Sequence, residues 1–527
     1  MNMKRDLHTL ERKRLALQAS LDGERTQAAR NKMGQFATPS PLAQDILRYA
    51  DTLLPADEPV RFLDPAIGTG AFYSALCSVY PNARVAEACG FEIDPHYGHP
   101  AAELWNKTGL TMKLADFTTQ VPDPRFNLLI CNPPYVRHHH VALKEKIRLQ
   151  RLTAESCGIR VGGLAGLYCH FLGLSHSWLA NGAISGWLIP SEFMDVNYGI
   201  ALKRYLLERV TLLHIHRFDP ADVQFADALV SSAVVWFRNT PPPKNHAVKF
   251  SFGGSLAEPA TVRTVPARAL VQEAKWTRFP NADIRLQQMG PVLSDFFRIK
   301  RGIATGNNNF FILSDDEIAA RGLPMQAFRP ILPSPRYVTA DDIKADASGN
   351  PRLDRRLFLL DPRMGEDEIR RKLPSLWKYL EEGKARGLHE TYLCRHRGTW
   401  YAQEDRPAPP IVCTYLGRSD TKNGRPFRFI LNNTQATIAN VYLAMYPNPA
   451  LAVALARDRT LIRKIWTVLN QLTPAQLLGE GRVYGGGLHK LEPKELANVS
   501  AVAIAALLPA ASRPARQEVL PGLAALG

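Results

Sequence analysis

Between Met33 and Arg238 short apolar runs alternate with helix-patterned stretches, and this alternation restricts the chain's fold more than any other feature. Six runs read as strands: VRFLDPA, ARVAEACGFEID, FNLLICNPP, GAISGWLIP, VTLLHIHRF and ALVSSAVVWF. Strands separated by helices need crossover connections, which place helices on the faces of a mainly parallel sheet. The expectation is an α/β, Rossmann-like domain over residues 33–240. Asn239 to Asn245 contains three consecutive prolines, Pro241 to Pro243, which continue neither a helix nor a central strand, so the domain is expected to end there. Residues 245–510 mix weaker strands and helices and predict a second, mixed α+β domain, with a loosely ordered tail over 511–527. Residues 1–32 predict a helical leader whose Leu7, Leu10, Leu17 and Leu21 recur at helical spacing and would dock on the next domain.

A chain of 527 residues with 46% hydrophobic content can bury more than one core. Lys and Arg number 65 against 49 Asp and Glu, a formal charge of +16, which suits a polyanionic partner; a merely basic soluble protein is the bland alternative. No run of about 18 apolar residues occurs, and the N-terminal segment lacks the apolar centre of a secretory signal, so no membrane association and a cytoplasmic location are expected. The seven cysteines form no CxxC pair, which argues against a disulfide framework or a structural zinc. His138, His139 and His140 fit no ligand spacing, and no metal is expected.

In Phe62 to Phe72 a strand runs into a glycine turn containing Asp64, Ala66, Gly68 and Gly70, where small residues let backbone approach a ligand. Two glycines without a third, and without Lys-Ser or Lys-Thr, exclude the dinucleotide fingerprint and the P-loop. One strand later Glu92 stands where a carboxylate can accept from both hydroxyls of a ribose. Asp116 and Phe117 then offer an acceptor and a ring for an adenine. Each carboxylate has a second reading as a helix cap or a solvent-facing group; together with the turn they favour a nucleoside-containing cofactor.

The strongest signal is Asn132-Pro133-Pro134-Tyr135, directly after FNLLIC. An exocyclic amino group such as adenine N6 is a weak nucleophile because its lone pair is delocalised into the ring. The Asn132 side-chain oxygen and the Pro133 carbonyl can accept from its two N–H groups and favour a lone pair aimed at an electrophile, with no strong base. Tyr135 offers a face for stacking. The alternative is a plain Asn-Pro turn after a strand. Phe225, in VQFADA, could supply a second stacking face or be an ordinary core residue.

In this order, with Gln35-Phe36-Ala37-Thr38-Pro39 ahead of the turn, the motifs resemble the gamma-type N6-adenine DNA methyltransferases of bacterial type II restriction–modification systems. The resemblance implies an S-adenosylmethionine-dependent methyltransferase domain followed by a DNA target-recognition domain. It implies S-adenosylmethionine as cofactor, with Thr38 and the 64–70 turn at its methionine moiety, Glu92 at its ribose, and Asp116 and Phe117 at its adenine. It assigns Asn132, Pro133 and Tyr135 to the target base, with Phe225 opposite Tyr135. Arg301 to Asn308 and Tyr484 to Leu491 resemble segments of target-recognition domains. The family varies at Ile67, whose contact stays open.

A flipped-out adenine in double-stranded DNA must be held by protein contacts. The stretch Arg137 to Arg151, with Lys144, Lys146 and Arg148, is placed to follow phosphates, a solvated helix face being the bland reading. In the second domain Arg301, Asn307, Arg395, Arg397 and Lys490 are the candidate DNA contacts, joined by the Arg418 to Arg425 turn, with no separation of base readers from phosphate binders. Three rival readings stand: methylation of RNA or of a protein glutamine, a catalytically dead DNA-binding homologue, and a nuclease fusion. The roughly 30 residues ahead of the core leave no room for an N-terminal nuclease, so the cognate endonuclease is expected to be a separate protein and the enzyme a monomer.

Overall fold

The computed structural model describes residues 2–508 apart from 221, 223, 225–230, 281–289, 419–424, 479–480 and 485–487. The expected tail over 511–527 and Phe225 therefore lie outside the described residues. Two compact units divide the chain, the main division falling after residue 285.

The first unit opens with α1 (Asn2–Gly23), α2 (Gln27–Met33) and α3 (Ser40–Asp51), then β1 (Val60–Asp64), α4 (Ala71–Val79), β2 (Val85–Glu92), α5 (Pro95–Leu104), β3 (Leu110–Leu114) and β4 (Phe126–Cys131). It continues with α6 (Leu143–Cys157), α7 (Leu167–Ser175), β5 (Leu179–Pro190), α8 (Gly199–Glu208), β6 (Thr211–Arg217), β7 (Ser232–Arg238), β8 (Ala247–Gly254), β9 (Pro259–Pro266) and α9 (Ala267–Gln272). The nine strands form one sheet in the order β3-β2-β1-β4-β5-β7-β6-β8-β9. Strands β1 to β5 are parallel throughout. Strand β7 runs antiparallel to both neighbours, β5 and β6.

All six expected strands are present, and the mainly parallel α/β sheet stands. Phe62 and Leu128 point into one apolar cluster with α3 and α4, whereas Leu63 and Leu129 point into the other with α7 and α8. That division is the period-two alternation of a strand covered on both sides, which explains why these strands read as unbroken apolar runs.

The expected boundary at 240–245 is corrected. The three prolines interrupt an element without ending the domain: β8 returns to pair in parallel with β6, and β9 pairs with β8. A proline run removes backbone donors locally, but it does not prevent the chain from turning back. The turn is fastened where the Thr211 hydroxyl donates to Thr240 O (3.0 Å). Edge strand β3 was also missed, because LTMKL is too short and too exposed to stand out.

The leader is helical and docked, as expected, with Leu21 buried and Leu10 packed against the core of the first unit. Its most buried described side chain is nevertheless polar, Arg14 (1% exposed).

The second unit is mixed α+β. One sheet orders Phe297–Arg301, Tyr442–Pro447, Ile411–Thr414, Phe429–Asn432 and Asp342–Ile343; another orders Ile312–Ser314, Leu357–Leu360, Phe328–Leu332 and Thr437–Ile438. It has apolar clusters of its own, around Ile411 and Leu443, around Phe310 and Leu359, and around Val412 and Ile430. Among the described residues no helix is long and apolar enough to cross a membrane.

Strand order positions the site. From β1 the chain builds outward through β2 and β3, then returns to β4 on the other side of β1. The carboxyl ends of β1 and β4 thus flank the point where the winding reverses, where open α/β sheets leave a crevice. Asp64 ends β1, and Asn132 follows β4 directly.

Candidate active site

The glycine turn is shaped from beneath. Gly68 and Gly70 have φ of 55° and 90°, a region that side chains with a Cβ disfavour. A Cβ on Gly70 would stand 2.4 Å from the Trp105 Nε1, and that indole donates to Thr69 O (2.9 Å). At Gly68 no atom lies within 4 Å of the same position, so the turn is open on that side. Ile67 is buried over Gly90, whose absent Cβ would meet it at 2.3 Å.

The carboxylates brace this turn. Asp64 is 1% exposed, and its Oδ1 accepts from Ala66 N (3.1 Å). Burial, reinforced by the nearby Glu92 charge, pushes its pKa up to about 8. The turn therefore presents backbone to a ligand, with the Asp64 side chain held underneath. Glu92 is half-buried; its Oε2 accepts from Gly68 N (3.0 Å) and its Oε1 from Asp94 N (2.8 Å). Burial raises its pKa as well. Each oxygen keeps a further lone pair for a donor such as a hydroxyl.

Two expected cofactor contacts are placed differently. Asp116 caps a single 3-10 turn, its Oδ1 accepting from Thr118 N (2.8 Å), so the helix-cap reading holds. Phe117 is 3% exposed and packs against Phe91, Phe171 and Trp178, which makes it a core ring with its faces covered. Ile93, overlooked in the sequence, stands 60% exposed between Glu92 and Asp94. An apolar residue between two carboxylates at a strand end was the signal for it.

Beyond β4, the segment 34–38 lies along the NPPY loop. Tyr135 N donates to Gly34 O (3.1 Å), and a Cβ on Gly34 would stand 2.4 Å from Tyr135 N. The Asn132 Nδ2 donates to Phe36 O (2.9 Å) and to the Thr38 hydroxyl (3.1 Å). A backbone carbonyl only accepts, so these bonds fix which end of the amide is nitrogen. The Asn132 Oδ1 is left buried with no partner. Thr38, expected at the methionine moiety, thus reaches Asn132. Tyr135 is 8% exposed, donates to Leu188 O (3.0 Å) and packs against Phe36 with ring centroids 5.5 Å apart. Pro133 is buried beneath the loop.

The candidate DNA contacts divide into occupied and exposed groups. On α6, Arg148 pairs with Glu145 and donates to Thr118 O (3.0 Å), a structural tie; Arg137 and Lys144 are exposed, and Lys146 is half-buried. In the second unit, Asn307 caps a helical turn by accepting from Phe310 N (3.1 Å). Arg397 donates to Ala304 O (2.7 Å) and Thr305 O (3.0 Å). Arg148, Asn307 and Arg397 thus each hold a structural contact within the protein. Arg301 lies 4.0 Å over the Tyr415 ring while donating to Asn440 O (2.9 Å), and Lys490 pairs with Glu492 (2.8 Å). Arg395 is exposed beside Tyr392. Residues 419–424 and 485–487 of the two expected recognition segments lie outside the described residues.

Two family models match: "Eco57I restriction-modification methylase" over residues 101–224, and "Type II methyltransferase M.Eco57I, C-terminal domain" over 281–519. The type II methyltransferase M.XamI of Xanthomonas campestris pv. amaranthicola is 27% identical over 473 residues, 88% of this chain and 84% of that protein. M.AccI of Acinetobacter calcoaceticus is 25% identical over 89% of this chain and 85% of its own length. A solved structure of the type IIL restriction-modification enzyme MmeI in complex with DNA aligns at a TM-score of 0.47 and 10% identity, over 81% of this chain and 61% of that one. The first model spans the NPPY loop, the second spans most of the second unit, and both curated relatives run through the two; the chain is similar over most of its length to modification methyltransferases of type II restriction–modification systems.

Proposed function

We propose that this site-specific DNA methyltransferase transfers the methyl group of S-adenosylmethionine to N6 of an adenine rotated out of duplex DNA. The observation that carries the reading is the Asn132 amide: its nitrogen is held by Phe36 O and Thr38, and its oxygen is buried without a partner beside the crevice. An unsatisfied buried acceptor costs about 1–3 kcal/mol, and an incoming N–H removes that cost. An amino group donating to Asn132 Oδ1 and to the Pro133 carbonyl would turn its lone pair out of conjugation. S-adenosylmethionine held in the crevice would supply the methyl group to that nitrogen, with its sulfur as the leaving group, and the surplus proton would pass to solvent.

The residues present fit the cofactor. Gly68 leaves open space over the turn, Ile93 offers an exposed apolar face, and Glu92 has lone pairs free for ribose hydroxyls. Bound there, S-adenosylmethionine supplies an electrophilic methyl carbon. Glu92 would orient the ribose and the backbone of 66–70 the methionine moiety, with Ile93 rather than Phe117 against the adenine. Tyr135 forms one wall for the base, and Phe225 is proposed as the other. The second unit, with Arg301, Arg395 and Lys490, is proposed as the target-recognition part. The reading includes a cytoplasmic monomer that protects DNA from a separate endonuclease of the same specificity.

The test is incubation with tritiated S-adenosylmethionine and mixed-sequence duplex DNA, then digestion to nucleosides. Label in N6-methyldeoxyadenosine is expected. Label in another deoxynucleoside would overturn the adenine assignment, and label only in RNA or protein controls would overturn the DNA substrate.

A further inference from the structure

Helix α1 is fastened to the crevice by a polar stripe for which the proposed reaction assigns no role. Glu11, Arg14, Gln18 and Asp22 are spaced three or four residues apart and share one face of α1, and Arg25 follows in the bend beyond its end. Arg14 pairs with Glu11 on its own helix (2.7 Å), an arrangement that needs no burial, yet its guanidinium is sequestered from water. Taking an ion out of water is costly, and a partner within the helix could hold it equally well at the surface.

The buried position is explained by what it joins. Arg14 donates to the Ser40 hydroxyl (3.0 Å) and to the Thr69 hydroxyl (3.3 Å). Ser40 follows Thr38-Pro39, and Thr69 lies between the two glycines of the open turn. Thr69 in turn donates to Gln18 (2.6 Å). Glu11 reaches Ser40 and Ser74, at the starts of α3 and α4. Further along, Asp22 accepts from the Tyr97 hydroxyl (2.8 Å). Arg25 (3.1 Å) and Gln35 (2.8 Å) both donate to Asp94, two residues beyond Glu92. One face of α1 thus ties together the Thr38 segment and the glycine turn, and the chain just beyond the helix, through Arg25 and Gln35, reaches the end of β2; the three segments line the crevice and are far apart in sequence.

We propose that Arg14 and Gln18 are positioning residues for the cofactor: they hold Thr69, and through it the 68–70 turn, in register with the Thr38 segment, so that the site is formed before S-adenosylmethionine arrives. This rests on the reading that the crevice binds that cofactor. A preformed site loses less freedom on binding, so the clamp acts on cofactor affinity and not on the transfer step.

The test uses the full chain with Arg14→Ala, Arg14→Lys and Gln18→Ala. Direct titration of S-adenosylmethionine is combined with steady-state methylation of duplex DNA and thermal melting. Arg14→Ala is expected to raise both Kd and KM for S-adenosylmethionine by about tenfold, the equivalent of one lost hydrogen bond from a charged group, with kcat at saturation and KM for DNA within about threefold. Arg14→Lys is expected to recover part of the loss. Gln18→Ala, which leaves no buried charge unpaired, is expected to raise the same constants by about threefold and keeps the test decisive if Arg14→Ala does not fold. Unchanged cofactor constants in folded variants, or a proportionate fall in every parameter that tracks melting, would overturn the clamp while leaving the proposed reaction intact. Failure of the unaltered protein to bind S-adenosylmethionine would overturn both.

Discussion

At Asn132 the chemistry of the site depends on the orientation of one amide. The nitrogen end is consumed by partners 94 and 96 residues away, and the oxygen end is buried without a partner. Asn132→Ala removes that acceptor while leaving the glycine turn and Glu92 untouched. Its kcat is expected to fall by at least about a hundredfold with cofactor affinity nearly unchanged, as for loss of other preorganised hydrogen-bonding groups; single-turnover kinetics with a cofactor titration check both. Asp64 carries a different consequence. Its carboxyl keeps a proton in the folded protein up to about pH 8, whereas in the unfolded chain it loses it near the ordinary value of 3.8. With the folded pKa raised, the stabilisation is complete at low pH and is lost as pH rises through that window. The melting temperature of the cofactor-free protein should therefore decline between about pH 5 and pH 8, and Asp64→Asn should flatten the decline. An equal slope in the variant would place the titrating group elsewhere.

At the scale of elements, six strands of the first sheet were legible because two-sided burial leaves unbroken apolar runs within a few residues, whereas the exposed edge strand β3 and the returning β8 and β9 were not. The leader was legible as a helix, and its leucines as part of the docking face, but the polar contacts of that face were not. Leu21 is buried as the spacing suggested, yet the most buried side chain is Arg14, whose partners Ser40 and Thr69 lie outside its own segment. The basic candidates divide in the same way. Arg397 resembles a DNA contact in sequence, yet it holds two backbone carbonyls at the 304–305 turn. Arg397→Ala is expected to destabilise the protein by roughly 2–3 kcal/mol, through carbonyls that lose charged donors, without changing the salt dependence of DNA binding. Denaturant unfolding alongside binding at several salt concentrations separates the two roles; a flatter salt dependence with unaltered stability would return Arg397 to the DNA.

For the whole molecule, the formal charge of +16 is a statement about association with a polyanion and not about the fold. If phosphate contacts number in the usual range for DNA-binding proteins, affinity for duplex DNA should fall about a thousandfold between 50 and 200 mM salt. A nearly flat dependence in a fluorescence-anisotropy titration would mean that the excess charge lies away from the DNA. The extent of the first unit belongs to this scale too. The prolines after β7 suggested an end, and the return of β8 to pair with β6 moved it, because strand pairing is satisfied by partners that local composition does not name.

By itself the sequence determined the strand pattern, the order of the glycine turn, Glu92 and the NPPY loop, and the kind of chemistry those groups support. These properties are local: they arise from side-chain period, backbone restriction and functional groups within a few residues. Only the tertiary structure decided which atom of Asn132 is left without a partner, that Phe117 is core and Ile93 exposed, which arginines are already occupied, and that Arg14 joins Ser40 to Thr69. Each of these is a question of which polar group meets which across tens of residues. Hydrogen-bond satisfaction is settled by the packed fold as a whole.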